Sequence, residues 1–142
     1  MKKMDSRGAI YAVLPRLQFT SGVPDTKYEL LLRLFRVRER VYQKDATIFM
    51  SGTSAAVFGA LVAGRVQSTS FDFLGNKKII AEYHAWECFA VTNVSCSIGE
   101  YAFDYVAAEP SRVLLFDITE IFQPTAAFAM SDRLLAAELM HN

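Results

Sequence analysis

The sequence predicts a mainly β fold with flanking helices, closed into a sandwich or barrel. Between Tyr42 and Asp117, short β-type segments follow one another with turn residues such as Gly64 and Gly75-Asn76 between them. Strands this short cannot bury an apolar face singly, so they must roll into a closed double layer. Phe is abundant, with 11 residues in 142, which suits an aromatic core within one domain.

Charge and cysteine content argue against several functional classes. Fifteen basic residues balance fifteen acidic ones, so no overall field draws the chain to nucleic acid or to anionic lipid. No apolar run approaches the roughly 20 residues that span a bilayer, and no apolar stretch follows the basic N-terminus as a secretory signal requires. Two cysteines are too few for a disulfide framework. We therefore expect a cytoplasmic protein without a membrane partner.

The lead-in, residues 1–40, is expected to be helical. Apolar residues at helical spacing precede Pro15, which interrupts them. Thr26 and Glu29 form the pattern of a capping box, which predicts that a second helix starts at Thr26. Four apolar side chains lie on one side of this helix: Leu30, Leu31, Leu34 and Phe35.

The β region, residues 41–118, divides into seven short segments of strand type. They are 46–50, 56–63, 65–73, 78–83, 87–91, 103–108 and 113–116. Because Gly75-Asn76 tolerates positive φ, it predicts a hairpin between the third and fourth segments. Residues 92–99 form a polar insertion.

The C-terminal segment, residues 119–142, returns to helical spacing. Ser131-Asp132 can cap a helix whose apolar positions include Leu134, Leu135 and Leu139. A helix of about 10–12 residues is marginal alone, so this one needs a partner surface.

Several motifs, in this order, resemble the sensor domain of bacterial Crp/Fnr-type transcription regulators. The segment Tyr42-Gln-Lys-Asp-Ala-Thr-Ile-Phe49 is similar to the family's Tyr-x-Lys-Gly-x-x-Ile-Phe. Ala63-Gly-Arg-Val-Gln67, the hairpin at Leu74-Gly75-Asn76 and the strand from Tyr101 to Ala108 look like later parts of that domain. The resemblance covers nearly the whole chain.

The resemblance implies a jelly-roll double-stranded β-helix of the cyclic nucleotide-binding type, with an effector pocket between the barrel and its ligand cassette. It also implies a homodimer through a C-terminal dimerisation helix that starts within residues 119–142. Intact members continue into a helix-turn-helix domain that reads DNA, and no residues for it follow Asn142. We therefore expect the effector-sensing part of such a regulator, which would meet DNA only if a helix-turn-helix domain were supplied.

Cyclic-nucleotide binders of this family use Phe-Gly-Glu, followed after a short helix by Arg-(Ser/Thr)-Ala. The glycine admits the phosphate, the glutamate takes the ribose hydroxyl and the arginine pairs with the phosphate. The resemblance places Ala90, Val91 and Ala102 at these positions. Losing two charge-assisted contacts of about 1.5–3 kcal/mol each weakens binding roughly 10²–10⁴-fold. We therefore expect no ordinary binding of cAMP or cGMP.

The resemblance assigns apolar and aromatic residues to the effector pocket: Phe89, Ala90, Val91, Tyr101, Ala102 and Phe103, with Tyr105 nearby. Two interpretations stay open, because either an unknown hydrophobic or aromatic effector binds there or these side chains fill a collapsed pocket. Two interpretations also stay open for Cys88 and Cys96, which are either a redox pair or two unrelated thiols.

The sequence predicts no catalytic residues, cofactor or metal site, because it holds no Gly-rich phosphate loop, nucleophile elbow or paired-carboxylate pattern. One alternative on the same double-stranded β-helix is a metal-dependent cupin-type enzyme. Glu82, His84 and Glu87 come nearest to the ligand cluster that such an enzyme needs. Another alternative is a degenerate β-barrel that serves for interaction and binds no small ligand.

Overall fold

The structure, a computed structural model, describes residues 10–17, 20, 22–91 and 99–119. Their eight strands form two antiparallel sheets of four strands each. The strands are β1 Arg38–Tyr42, β2 Thr47–Phe49, β3 Val57–Ala63, β4 Val66–Phe71, β5 Lys77–Tyr83, β6 Cys88–Phe89, β7 Asp104–Ala107 and β8 Ser111–Asp117. One sheet has the order β1-β8-β3-β6 and the other β2-β7-β4-β5. The predicted mainly β double layer is confirmed.

Short helical elements precede the sheets, as the spacing of apolar residues predicted. Residues 10–13 are α-helical and continue into a 3-10 turn at Leu14–Arg16, which contains Pro15. A second 3-10 turn, Asp25–Lys27, leads into the helix α1, Tyr28–Leu34.

The predicted capping box is wrong. The helix α1 begins at Tyr28, and its N-cap residue, Lys27, makes no side-chain capping hydrogen bond. The residue Thr26 lies inside the 3-10 turn and so cannot be the N-cap. The Glu29 carboxylate accepts a hydrogen bond from the Tyr11 hydroxyl at 2.6 Å, which links α1 to the lead-in helix.

The strand β1 was not predicted. The helix α1 ends at Leu34, and β1 begins at Arg38, inside residues 1–40, which were expected to be helical. Arg36 adopts a left-handed conformation with φ of 47°, which turns the chain between the two elements. The β region therefore runs from Arg38 to Asp117, and each of the seven predicted strand segments overlaps one of the strands β2 to β8.

The hairpin predicted at Gly75-Asn76 is confirmed. Its two strands, β4 and β5, pair from Val66 opposite Tyr83 to Phe71 opposite Lys77. The Asp72 amide donates to the Asn76 carbonyl at 3.0 Å, and Gly75 has the positive φ of 85° that the turn needs.

The sheet β1-β8-β3-β6 is covered on both faces. Successive residues of a strand point to opposite faces, so Phe58 and Gly59 of β3 lie on different sides. Phe58 stacks on Phe116, with ring centroids 4.9 Å apart, and meets Phe35, the C-cap residue of α1, at 6.4 Å. We call Phe35, Phe58 and Phe116 the helix-side cluster.

Some predictions lie outside the described residues. These are the helix capped by Ser131-Asp132, the dimer that it would form, and nearly all of the polar insertion at residues 92–99. No helix in the described part of the chain is long and apolar enough to cross a membrane.

Candidate functional site

Five aromatic rings meet in the interior between the two sheets. We call them the interior cluster: Phe49, Tyr83, Phe89, Tyr101 and Tyr105. Phe49 stacks on Tyr101, with centroids 4.6 Å apart and planes within 5° of parallel. Phe89 stacks on Tyr105 at 5.7 Å, and Tyr83 contacts both of these rings in tilted arrangements at 5.7 and 6.2 Å.

The position of Phe89 depends on a glycine of the neighbouring strand. Phe89 in β6 pairs with Gly59 in β3, and its ring lies directly over the glycine. A Cβ added at Gly59 would come within 2.3 Å of a ring carbon of Phe89. Because Gly59 lacks a side chain, the Phe89 ring can approach the strand closely and contact the rings of Phe49, Tyr83 and Tyr105.

Two of the phenols are shielded from water. The Tyr101 hydroxyl donates to the Val57 carbonyl and accepts a hydrogen bond from the Val57 amide at 3.2 Å. Burial raises the pKa of Tyr101, and it raises the pKa of Tyr105 to about 12, with further contributions from Tyr83 and Tyr101. Both phenols therefore stay protonated at neutral pH and act as neutral hydrogen-bonding groups.

Ser68 adds a hydroxyl without a partner. The residue is 1% exposed, and within the described residues its Oγ makes no hydrogen bond. On β4, Ser68 lies opposite Tyr105 of β7 and Ala81 of β5. It shares a face with Val66, whose partner on β5 is Tyr83. This register directs the Ser68 side chain toward the interior cluster.

The six predicted pocket residues take different places. Phe89 and Tyr101 belong to the interior cluster and are 1% and 5% exposed. Phe103 is half-buried and packs against the core. Ala102, at the position where the resemblance expects arginine, is exposed.

Ala90 and Val91 follow β6. Ala90 is buried, and Val91 is half-buried against the core. Ala90 has φ of 67°, the left-handed conformation that glycine adopts without steric cost. Asp45, which occupies the glycine position of the Tyr-x-Lys-Gly motif, has φ of 71°. The chain therefore has a glycine-type backbone at both of these positions, where the resemblance to Crp/Fnr-type regulators places a glycine.

Sequence reasoning missed three residues of this site. Phe49 ends a motif that had been used for the resemblance, and Tyr83 ends a predicted strand, yet neither was assigned to the pocket. Ser68 lies in a predicted strand whose alternation was loose. Period-2 alternation outward from Tyr83 and Tyr105 would have indicated that these residues face inward, once the order of strands in the sheet was known.

Of the two cysteines predicted as a possible redox pair, only Cys88 lies within the described residues. Cys88 lies in β6 opposite Ala60 and is half-buried. Cys96 lies outside the described residues. The redox pair therefore stays a prediction.

Glu82, His84 and Glu87 do approach one another. His84 Nε2 lies 3.1 Å from Glu82 Oε1, and His84 Nδ1 lies 3.6 Å from Glu87 Oε1. Hydrogen bonds from Gln67 at 3.0 Å and Arg65 at 2.8 Å lower the pKa of Glu82 to about 2, with a smaller contribution from His84. Across the part of the chain that the structure describes, no group of three or more His, Cys, Asp or Glu could hold a metal ion. The described residues thus give the cupin-type alternative no support.

Known proteins resemble this chain in structure and not in sequence. No protein-family model matches the chain, and no curated protein matches its sequence. The sensor domain of the transcriptional regulator DNR from Pseudomonas aeruginosa has a TM-score of 0.71 and 19% identity, covering 94% of this chain and 87% of that one.

Two further solved structures extend the comparison. The N-terminal domain of a transcriptional regulator from Streptomyces coelicolor A3(2) has a TM-score of 0.66 and 16% identity, over 89% of this chain and 87% of that one. The regulatory domain of Toxoplasma gondii PKA with cAMP has a TM-score of 0.71 and 15% identity, over 98% of this chain and 51% of that one.

These similarities establish the fold. The chain has the cyclic nucleotide-binding-like fold of regulatory sensor domains, as the resemblance to Crp/Fnr-type regulators implied. The chain spans about half the length of the Toxoplasma gondii protein and 60% of a putative cAMP-binding regulatory protein from Silicibacter pomeroyi DSS-3, which is also similar in structure. Identities of 13–19% carry no ligand or activity from those proteins to this one.

Proposed function

We propose that this chain is the effector-sensing domain of a Crp/Fnr-type regulator and that its effector is not a cyclic nucleotide. The observation that carries this proposal is the absence of a phosphate partner in the cassette. From Cys88 to Phe103 the sequence contains one charged residue, Glu100, and no basic residue. A cyclic phosphate taken from water into this segment would find no counter-charge there, which makes its binding costly.

The aromatic character of the interior supports an apolar or aromatic effector. Ligand sites in proteins are lined mainly by apolar and aromatic side chains with a few polar groups that fix orientation. The interior cluster and Ser68 match that description, and the glycine-type backbone at Ala90 preserves the path of the chain beside them.

One observation favours an alternative function. The five rings of the interior cluster contact one another, so the space between the sheets is occupied by side chains. A barrel filled in this way could serve only for interaction with another protein. In that alternative the chain binds no small molecule.

Dimerisation and location belong to the same proposal. We place the dimer contact in residues 119–142 and the protein in the cytoplasm. Contact with DNA is proposed only for a protein in which a helix-turn-helix domain is joined to this one. Light scattering that finds a monomer at high protein concentration would contradict the dimer without affecting effector binding.

Thermal unfolding in the presence of candidate effectors tests the proposal. The panel contains cAMP, cGMP, haem, aromatic acids and neutral aromatic compounds. A compound present at about 100 times its dissociation constant adds about 2.7 kcal/mol to the free energy of unfolding. We expect a shift with an aromatic compound and none with cAMP or cGMP. A shift with cAMP contradicts the proposal, and no shift with any compound supports the interaction-only alternative.

A further inference from the structure

The unpartnered Ser68 hydroxyl and the tyrosine-rich interior indicate the chemical class of the effector. We infer that the effector is a flat aromatic molecule without negative charge, whose polar group hydrogen-bonds to Ser68 Oγ while its ring stacks in the interior cluster. This inference rests on the proposed function.

Ser68 carries the argument because a buried hydroxyl without a partner is costly. Most buried polar side-chain atoms in proteins have a hydrogen-bond partner, and leaving one unsatisfied destabilises the fold. Opposite Ser68 on β5 stands Ala81, whose methyl group offers no hydrogen bond. On β7 stands Tyr105, whose side chain is already hydrogen-bonded to Tyr83. A ligand nitrogen or oxygen beside β4 would supply the partner that Ser68 lacks.

Tyr83 provides the place where a ring can enter. It lies at the end of β5, which is the edge strand of its sheet, and it is half-buried, whereas Phe89 and Tyr105 are 1% and 4% exposed. Its ring is tilted by 44° to Phe89 and by 40° to Tyr105. Aromatic pairs prefer offset-stacked or edge-to-face contacts, so a ligand ring stacked beside Tyr105 would replace less favourable tilted ones.

The charge near the cluster disfavours an anionic ligand. The polar groups that the interior cluster and Ser68 present are hydroxyls, and the Tyr105 phenol, with its pKa raised to about 12 by burial, is neutral at pH 7. Besides burial, the negative charge of Asp117 raises the pKa of Tyr101, and the same charge opposes a ligand anion. An anionic ligand would therefore lose its hydration without gaining a counter-charge.

The test compares ligand binding by the full chain and by two matched serine variants. The probes are benzamide and indole, which are neutral and flat, and benzoate, which has the shape of benzamide with a negative charge. The variants are Ser68→Ala and, as the matched control, Ser70→Ala. The control residue Ser70 lies on the same strand, β4, and is half-buried. Binding is measured by calorimetric titration and stability by thermal unfolding.

We expect Ser68→Ala to be more stable than the wild type without ligand and to bind the probes more weakly. Without ligand, Ser68→Ala should raise the unfolding midpoint by about 3–8 °C because it removes an unsatisfied hydroxyl. The same variant should bind benzamide or indole about threefold to tenfold more weakly, since one neutral hydrogen bond is lost. Ser70→Ala should leave the affinity unchanged, and benzoate should bind the wild type more weakly than benzamide does.

Three results would overturn the inference. Equal affinity of the wild type and Ser68→Ala would show that the ligand does not use this hydroxyl. Benzoate binding as tightly as benzamide would show that the site does not reject anionic ligands. A lower midpoint for unliganded Ser68→Ala would show that Ser68 already has a partner, such as a buried water. Each of these results leaves the proposed sensor function intact. If neither haem nor any aromatic compound bound, both the sensor function and the inferred class of effector would be contradicted.

Discussion

Two aromatic clusters lie on opposite faces of the sheet β1-β8-β3-β6, and they differ in chemistry. The helix-side cluster consists of Phe35, Phe58 and Phe116, each 0% exposed and each without a polar atom on its side chain. The interior cluster contains two phenylalanines and three tyrosines, with the Ser68 hydroxyl beside them. The strand β3 lies between the two clusters, because its consecutive residues Phe58 and Gly59 face opposite sides of the sheet.

The difference separates a packing core from a candidate binding site. A cluster of phenylalanines has only to exclude water, and stacked and edge-to-face contacts achieve that. Each buried hydroxyl needs a hydrogen-bond partner as well, because an unsatisfied one destabilises the fold. Within the described residues, Ser68 lacks such a partner. Hydroxyls retained in such a place are expected where the interior has a task besides packing. Substitutions and changes of pH should therefore affect the two clusters differently.

The largest expected effect is at the helix-side cluster. Phe58→Ala should lower the free energy of unfolding by about 3–5 kcal/mol, because it removes a fully buried ring and leaves a cavity between Phe35 and Phe116. Urea denaturation measures the loss. The control is Phe73→Ala, at a residue 96% exposed in the hairpin turn, which should change stability by less than about 0.5 kcal/mol. Equal losses in the two variants would mean that the helix-side cluster is not the core described here.

The interior cluster should make stability depend on alkaline pH. The pKa of Tyr105 in the folded protein is about 12, raised from 10.0 mainly by burial. Below pH 10 both folded and unfolded states keep the proton, so the contribution of the neutral phenol is fully present. Between pH 10 and 12 the unfolded state loses the proton first, and the wild type should lose up to about 2.7 kcal/mol of stability.

The control for this pH effect is a variant without the phenol. Tyr105→Phe should keep only the smaller decline that Tyr101 causes, because burial raises the pKa of Tyr101 as well. The difference in unfolding free energy between wild type and variant is therefore the quantity to follow. Phe35→Leu in the helix-side cluster should lose stability by the same amount at every pH, because that cluster contains no titrating side chain. Parallel curves for wild type and Tyr105→Phe would show that Tyr105 titrates alike in the folded and unfolded states.

The sequence was sufficient for the strands and the central hairpin, for local physical reasons. Apolar alternation bounded by turn residues identified β2 to β8, and Gly75-Asn76 located the hairpin, because such signals act between near neighbours in the chain. The strand β1 was missed because Arg38 and Arg40 lie in the lead-in, residues 1–40, which was expected to be helical. Its pairing with β8 joins residues that are far apart in the chain, from Arg38 with Leu115 to Tyr42 with Ser111, which no local pattern reveals.

The site was less predictable than the fold. Phe89 and Tyr101 were found through the resemblance, whereas Ser68 and Tyr83 became site residues only when the strand order placed β4 and β5 beside β7. Strand order depends on long-range pairing, so inward-facing residues of different strands cannot be matched from the sequence alone. Gly59 illustrates the same limit, because its close contact with Phe89 exists only in the folded sheet.

The smallest expected effect concerns the cassette backbone. Ala90 has φ of 67°, a conformation that costs a residue with a Cβ about 1–2 kcal/mol relative to an ordinary conformation. Ala90→Gly should relieve this strain, which offsets the greater freedom, about 0.4–1 kcal/mol, that glycine gives the unfolded chain. Ala102→Gly, at an exposed residue outside the left-handed set, gains the same freedom without relief. We therefore expect Ala90→Gly to be more stable than Ala102→Gly by about 1 kcal/mol in urea denaturation. If Ala90→Gly were the less stable of the two, the glycine-type backbone at Ala90 would be refuted, and with it the view that the cassette has kept its path while changing its chemistry.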